Sequence, residues 1–182
     1  MVRLKLGNYA WQSLVVWSVL FNSGPVAAQD YNSGIRNLQD GRAFQKLLHA
    51  KIFNIGGIGW ASQITPEEEA FKILFDSGDS IKEFQRLVNQ ASPEGQLYAL
   101  FGLHLKAPDI FQKEAERLKA DDGPLKRAEK FVFIEKGKVR IGIGCLMFDH
   151  DRRKVIDQIA KGEFDIRFKS SRHRLILQSR NF

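Results

Sequence analysis

A single cysteine in 182 residues excludes an internal disulfide scaffold and any cysteine-rich zinc or iron–sulfur centre. Four histidines, His49, His104, His150 and His173, are scattered without ligand spacing, and a metal site needs three or four ligands held by their neighbours. Five prolines and 15 glycines are too few for collagen-like or low-complexity chains. No apolar run reaches the roughly 20 residues that span a bilayer. Nothing has the pattern of a serine triad, and basic residues are not interleaved with aromatics as in nucleic-acid modules. What is left is ordinary globular composition, 43% hydrophobic and 27% charged, in about one domain's length.

The first 28 residues have the three parts of an export signal. Arg3 and Lys5 open the chain with positive charge, and Ser13–Phe21 (SLVVWSVLF) forms a charge-free apolar run of nine residues. Asn22-Ser-Gly-Pro25 then breaks it before Val26-Ala27-Ala28, a small-residue cleavage pattern. The alternative is an uncleaved anchor, for which the run is half the needed length. Cleavage leaves residues 29–182 without an integral span, in the periplasm or secreted, away from cytosolic nucleotides and nucleic acid.

Self-comparison shows a period of 27 residues. Thr65-Pro66-Glu67 is echoed by Ser92-Pro93-Glu94, Ala70-Phe71 by Leu97-Tyr98, and Leu74 by Phe101. Further on, Phe84-Gln85-Arg86 meets Phe111-Gln112-Lys113, Val88 meets Ala115 and Ala91 meets Leu118. Each unit begins with a hydroxyl that caps free helix N–H groups and a proline whose missing N–H costs nothing there. A helix from Pro66 to about Asp76 is expected, then one from Ser80 to Gln90 with Ile81, Phe84, Leu87 and Val88 inward. The second pair runs from Pro93, breaks at Ala107-Pro108, and buries Leu97, Tyr98, Leu100, Phe101, Leu103, Leu105, Ile110, Phe111, Ala115 and Leu118. An earlier degenerate copy starts at Ala43-Phe44, in a helix over about 38–53. Helix pairs stacked in register are the grammar of a short solenoid.

The stretches GGIGWAS, TPEEEAF and ASPEGQLYALFGL, with a later GC ahead of a final helix, resemble a set of exported bacterial proteins of unassigned function with HEAT-like helical pairs. The resemblance covers residues 54–165. It implies a helical-repeat fold and an exported location, and it carries no activity.

From Gly123-Pro124 the chain changes. Residues 124–182 hold 15 basic and 7 acidic side chains, net +8, against 11 and 14, net −3, over 29–123. Lys130–Glu135 and Lys138–Met147 flank Lys136-Gly137, a hairpin turn pattern, although short apolar runs also fit helix. Strict alternation of Val139, Ile141, Ile143, Cys145 and Met147 puts all five on one strand face, so Cys145 is expected to be buried and inert. A helix over about 151–161 follows, with Val155, Ile156 and Ile159 inward and Gly162 as its stop. The division is thus a leader (1–28), a helical-repeat region (29–123) and a basic β-hairpin and helix region (124–182).

Candidate chemistry is sparse. Asp149-His150-Asp151 invites a metal reading but reads better as loop and cap, and His104 among leucines reads as a structural histidine. Gly57-Ile-Gly59-Trp-Ala-Ser62 lacks the third glycine of a phosphate-cradling loop, and Glu67-Glu68-Glu69 would repel phosphate beside it. The glycines instead let Trp60 and the backbone pack at the mouth of the array. The glutamates offset the positive helix end. The expected protein is mainly α, a short array of helical hairpins with a small C-terminal β-hairpin and helix, without cofactor or metal. The first reading of function is a non-catalytic exported interaction or scaffold module that meets an anionic envelope component or an acidic protein. Trp60, Arg152, Arg153, Lys154, Arg172 and Arg174 are its candidate contacts. The alternatives are a small thiol-dependent enzyme built on Cys145 and His150, and an immunity or inhibitor protein.

Overall fold

The computed structural model describes residues 26–121, 126–129 and 132–171. Residues 1–25 of the expected leader therefore lie outside the described residues, as do Arg172 and Arg174. The chain divides into two compact units, Met1–Leu38 and Gln39–Phe182. Of the first, helical backbone is described, the start of α1 (Val26–Leu48). The second holds the rest of α1 and every other described element. Among the described residues the fold is mainly helical with two small antiparallel hairpins ahead of the last helices, and no helix is long and apolar enough to cross a membrane.

The two helical pairs stand where the period puts them: α2 (Pro66–Asp76) with α3 (Ser80–Gln90), and α4 (Pro93–Lys106) with α5 (Pro108–Ala120). Thr65 Oγ1 accepts the Glu68 N–H at 3.1 Å, and Ser92 Oγ accepts the Gly95 N–H at 3.3 Å. The same cap is thus built twice, each time ahead of a proline in the first turn. It satisfies donors that a helix start otherwise leaves open. The positions matched across the repeat form the core: Phe71, Leu74, Phe84, Val88, Tyr98, Phe101, Phe111, Ala115 and Leu118 are all buried. Phe71 is its hub, with the rings of Phe84, Phe101 and Phe168 centred 5.6, 5.4 and 5.4 Å away. Ile81, expected inward, is 37% exposed, although it shares the helical stripe of Phe84 and Val88; it stands in the first turn of α3, ahead of the buried residues.

α1 ends at Leu48 rather than continuing to Phe53, and Phe53 forms a single parallel bridge with Ile141. There Phe53 joins β3 (Lys138–Ile143): its N–H donates to Arg140 O at 2.9 Å and its carbonyl accepts from Gly142 N–H at 3.0 Å. On its other edge β3 pairs with β4 (Leu146–Asp151), while β1 (Lys126–Glu129) pairs with β2 (Val132–Glu135). The expected pairing of 130–135 with 138–147 is therefore corrected to two separate hairpins. With Phe53 on one edge and β4 on the other, β3 has no edge left for β2. The run 138–147 breaks at Gly144-Cys145, a two-residue loop closed by Ile143 opposite Leu146, with Gly144 at φ 58. A glycine at that first loop position suits a hairpin turn.

α6 (Arg152–Ala160) and α7 (165–171) complete the unit. Val155, Ile156, Ile159, Phe164 and Phe168 are buried, and Gly162 ends α6 at φ 72. Backbones come close at Gly95, where an added Cβ would sit 2.1 Å from the Leu47 carbonyl oxygen. Helix propensity alone favours alanine at this site. Overpacking against backbone costs about 1–3 kcal/mol, so Gly95→Ala is expected to lower stability in urea unfolding; a gain would contradict the contact.

Candidate functional site

The site grows from one buried polar cluster. Asn54 follows Phe53 into the core, where the Tyr98 hydroxyl accepts its N–H at 3.0 Å and donates to its carbonyl at 2.9 Å. One side chain thus satisfies both backbone groups of a non-helical residue that has no ladder partner for them. Burial raises the phenol pKa above its ordinary value of about 10, which keeps the proton on the donor side. Glu68, wholly buried on α2, accepts the Gly57 N–H at 2.9 Å and lies 3.0 Å from Lys72, also buried. Its charge does more than offset the helix end. Glu94, at the start of α4, accepts the Arg140 N–H at 2.9 Å. Each repeat therefore contributes one first-turn glutamate that holds a non-helical segment. The sequence clue for Glu68 was the i,i+4 spacing to Lys72; for Glu94 nothing local distinguished it from a helix-end charge.

These anchors position a tight loop. Ile58 and Gln63 exchange backbone hydrogen bonds of 2.8 and 2.9 Å, and the Ser62 N–H donates to Gly59 O at 3.0 Å. Trp60 sits at the tip between them. The Gly59 N–H donates to Gly144 O at 2.8 Å, which ties this tip to the β3–β4 turn. Gly57 is at φ 86 with Ser62 O 2.3 Å from a would-be Cβ, so the loop closes only around glycine. Trp60, expected to pack at the mouth of the array, is 99% exposed. The glycines bring backbone against backbone and leave the indole outside.

Beside it the turn projects Leu146 and Met147, each 65% exposed, and Phe148, 37% exposed. Cys145, expected to be buried, is exposed in the turn itself. The reason is the reversal at Gly144: Val139 and Ile141 stay buried and Ile143 half-buried, but the chain turns before the alternation reaches 145. The joined tips thus carry Trp60, Leu146 and Met147 outside the core, with Leu146 and Met147 on opposite faces of the hairpin.

The basic candidates divide. Arg152 is 3% exposed, which corrects its expected role as a contact. Its guanidinium donates to Leu118 O at 2.9 Å, to Asp121 O and to Gln96 Oε1 at 3.3 Å, so it caps the open carbonyls at the end of α5. Arg153 and Lys154 are exposed, the former donating through Nε to Lys119 O at 2.9 Å. A cavity of about 200 Å³ beside them is lined by Lys136, Lys138 and Arg153 together with Asp121 and Asp151. Asp151 Oδ1 already accepts the Arg153 N–H at 2.8 Å, and so takes the place an anion would fill at the start of α6.

Cys145 and His150 do not meet. They lie at opposite ends of β4, four steps of strand separating Leu146 from His150, about 13 Å at the usual rise. Asp149 lies 3.3 Å from Arg140 across the hairpin, and Asp151 caps α6. His104 is half-buried, 3.5 Å from Asp165 and edge-on to Phe111, a structural placement. Among the described residues no group of three metal-ligating side chains comes together. No protein-family model matches the chain, and neither a curated protein nor a solved structure does.

The polar cluster has a measurable consequence. Tyr98→Phe leaves the Asn54 N–H and C=O buried without a partner, at a cost of about 1–3 kcal/mol. The expected result is a lower urea midpoint with an unchanged slope; unchanged stability would mean the phenol is not the clamp.

Proposed function

We propose that the chain is a non-catalytic interaction module that works after export, as the leader pattern of residues 1–28 and the resemblance of residues 54–165 to exported helical-repeat proteins imply. The observation that carries the reading is Trp60, wholly exposed yet seated on a loop whose neighbours are held by buried groups. A tryptophan that contributes nothing to the core is a cost in water, and such side chains are the common anchors of binding surfaces. Leu146 and Met147 add exposed apolar surface past the adjoining turn, while Arg153 and Lys154 are exposed at the start of α6, beyond the far end of β4. Thiol catalysis finds less support, since the base that Cys145 would need stands at the far end of β4.

The test separates binding from folding. Trp60→Ala touches no core residue, so its unfolding midpoint is expected to stay within about 0.5 kcal/mol of wild type. Partner retention on an envelope extract of the host, read by affinity capture, is expected to fall at least tenfold. Arg152→Gln serves as contrast, expected to lose stability first. Retention unchanged by Trp60→Ala overturns the assignment of the site.

A further inference from the structure

We infer that the paired tips are a lipid-surface anchor: Trp60 with Leu146 and Met147 enters the interfacial zone of an anionic bilayer. The inference rests on the interaction-module reading and names its partner. The first argument is shape. Trp60 stands on one turn and Leu146 and Met147 open β4 just past the other, the two turns joined by the Gly59–Gly144 hydrogen bond, with Trp60 99% and Leu146 and Met147 each 65% exposed. A projecting tip needs either a matched pocket in a partner or a medium that closes around it, and the headgroup region is such a medium. The second is chemistry. Tryptophan settles at the membrane–water boundary, where its ring is apolar and its N–H stays wet.

The third argument is charge complementarity. Residues 124–182 carry net +8 over the sequence as a whole. Exposed Arg167 lies at the foot of the Trp60 loop, its Cβ 2.9 Å from the position a Gly56 Cβ would take. One apolar anchor holds a membrane only marginally, and a second, electrostatic signal makes the attachment stable. The tips and the basic region supply one signal each.

Cys145, the chain's single cysteine, provides a native reporter at the tip. The full chain, labelled there with an environment-sensitive fluorophore, is mixed with vesicles of phosphatidylcholine alone or with about one third phosphatidylglycerol. The expected result is a blue shift and protection from aqueous iodide with the anionic vesicles, reversed at high salt as screening sets in. In co-sedimentation of unlabelled chain, Trp60→Ala is expected to weaken binding about tenfold, and Arg167→Gln about fivefold, the worth of one basic residue near such a surface. Vesicle-bound chain whose label stays in water is held by another segment, which overturns the inference. Binding that survives Trp60→Ala overturns it too. A protein captured through Trp60 while vesicles stay unbound overturns the lipid assignment and leaves the module reading standing.

Discussion

The phenol of Tyr98 joins the two kinds of backbone in the molecule. Its hydroxyl closes on the N–H and the carbonyl of Asn54, which lies in the non-helical stretch between α1 and α2. Phe53 on one side of it pairs with β3, and Gly57 on the other hangs from Glu68. Release of Asn54 would therefore free the edge of the sheet and the foot of the Trp60 loop together. The cluster is wholly buried, so each of its bonds counts for more than it would at the surface, and each unmade one costs more. Glu68 and Lys72 belong to the same balance: either charge alone in that interior would be costly, and the pair is tolerated because Glu68 also serves the loop.

The helical repeat and the loops depend on each other through the same few residues. Two copies of a capped helix pair build the aromatic core around Phe71. Their first turns present Glu68 and Glu94 to segments that have no regular partner of their own. A helix start with carboxylates is ordinary dipole compensation in isolation. Here those carboxylates accept N–H groups from Gly57 and Arg140, so the repeat becomes a frame for the Trp60 loop and the β3–β4 hairpin. Arg152 does the corresponding work at the other end, covering the last carbonyls of α5 from α6.

What was legible in the sequence was local. The caps at Thr65 and Ser92, the prolines after them and the spacing of Phe71, Leu74, Phe84 and Val88 are all read within one turn or two, and the helix pairs follow from them. The strand over 138–143 was legible by alternation, yet the same alternation ran on through Gly144 and put Cys145 inside; a glycine within a period-2 pattern is where such a run can turn. Arg152 sat in a basic triplet that looked like surface, because the carbonyls it caps belong to a helix some thirty residues earlier. Trp60 was legible as an anchor and misread as a packing residue, since the glycines around it close the loop on backbone. In each case the missing information was a partner distant in sequence.

The central claim is that a buried polar cluster holds the Trp60 tip in place while leaving its apolar side chain in water. Amide hydrogen exchange across residues 54–63, resolved residue by residue, tests it most directly. The account predicts slow exchange at Asn54, Gly57, Ile58, Gly59 and Gln63, whose N–H groups are bonded, beside fast exchange at Trp60 and Ala61. Fast exchange across the whole loop, with α2 and α4 still protected, would contradict it, for the indole would then ride on an unrestrained segment.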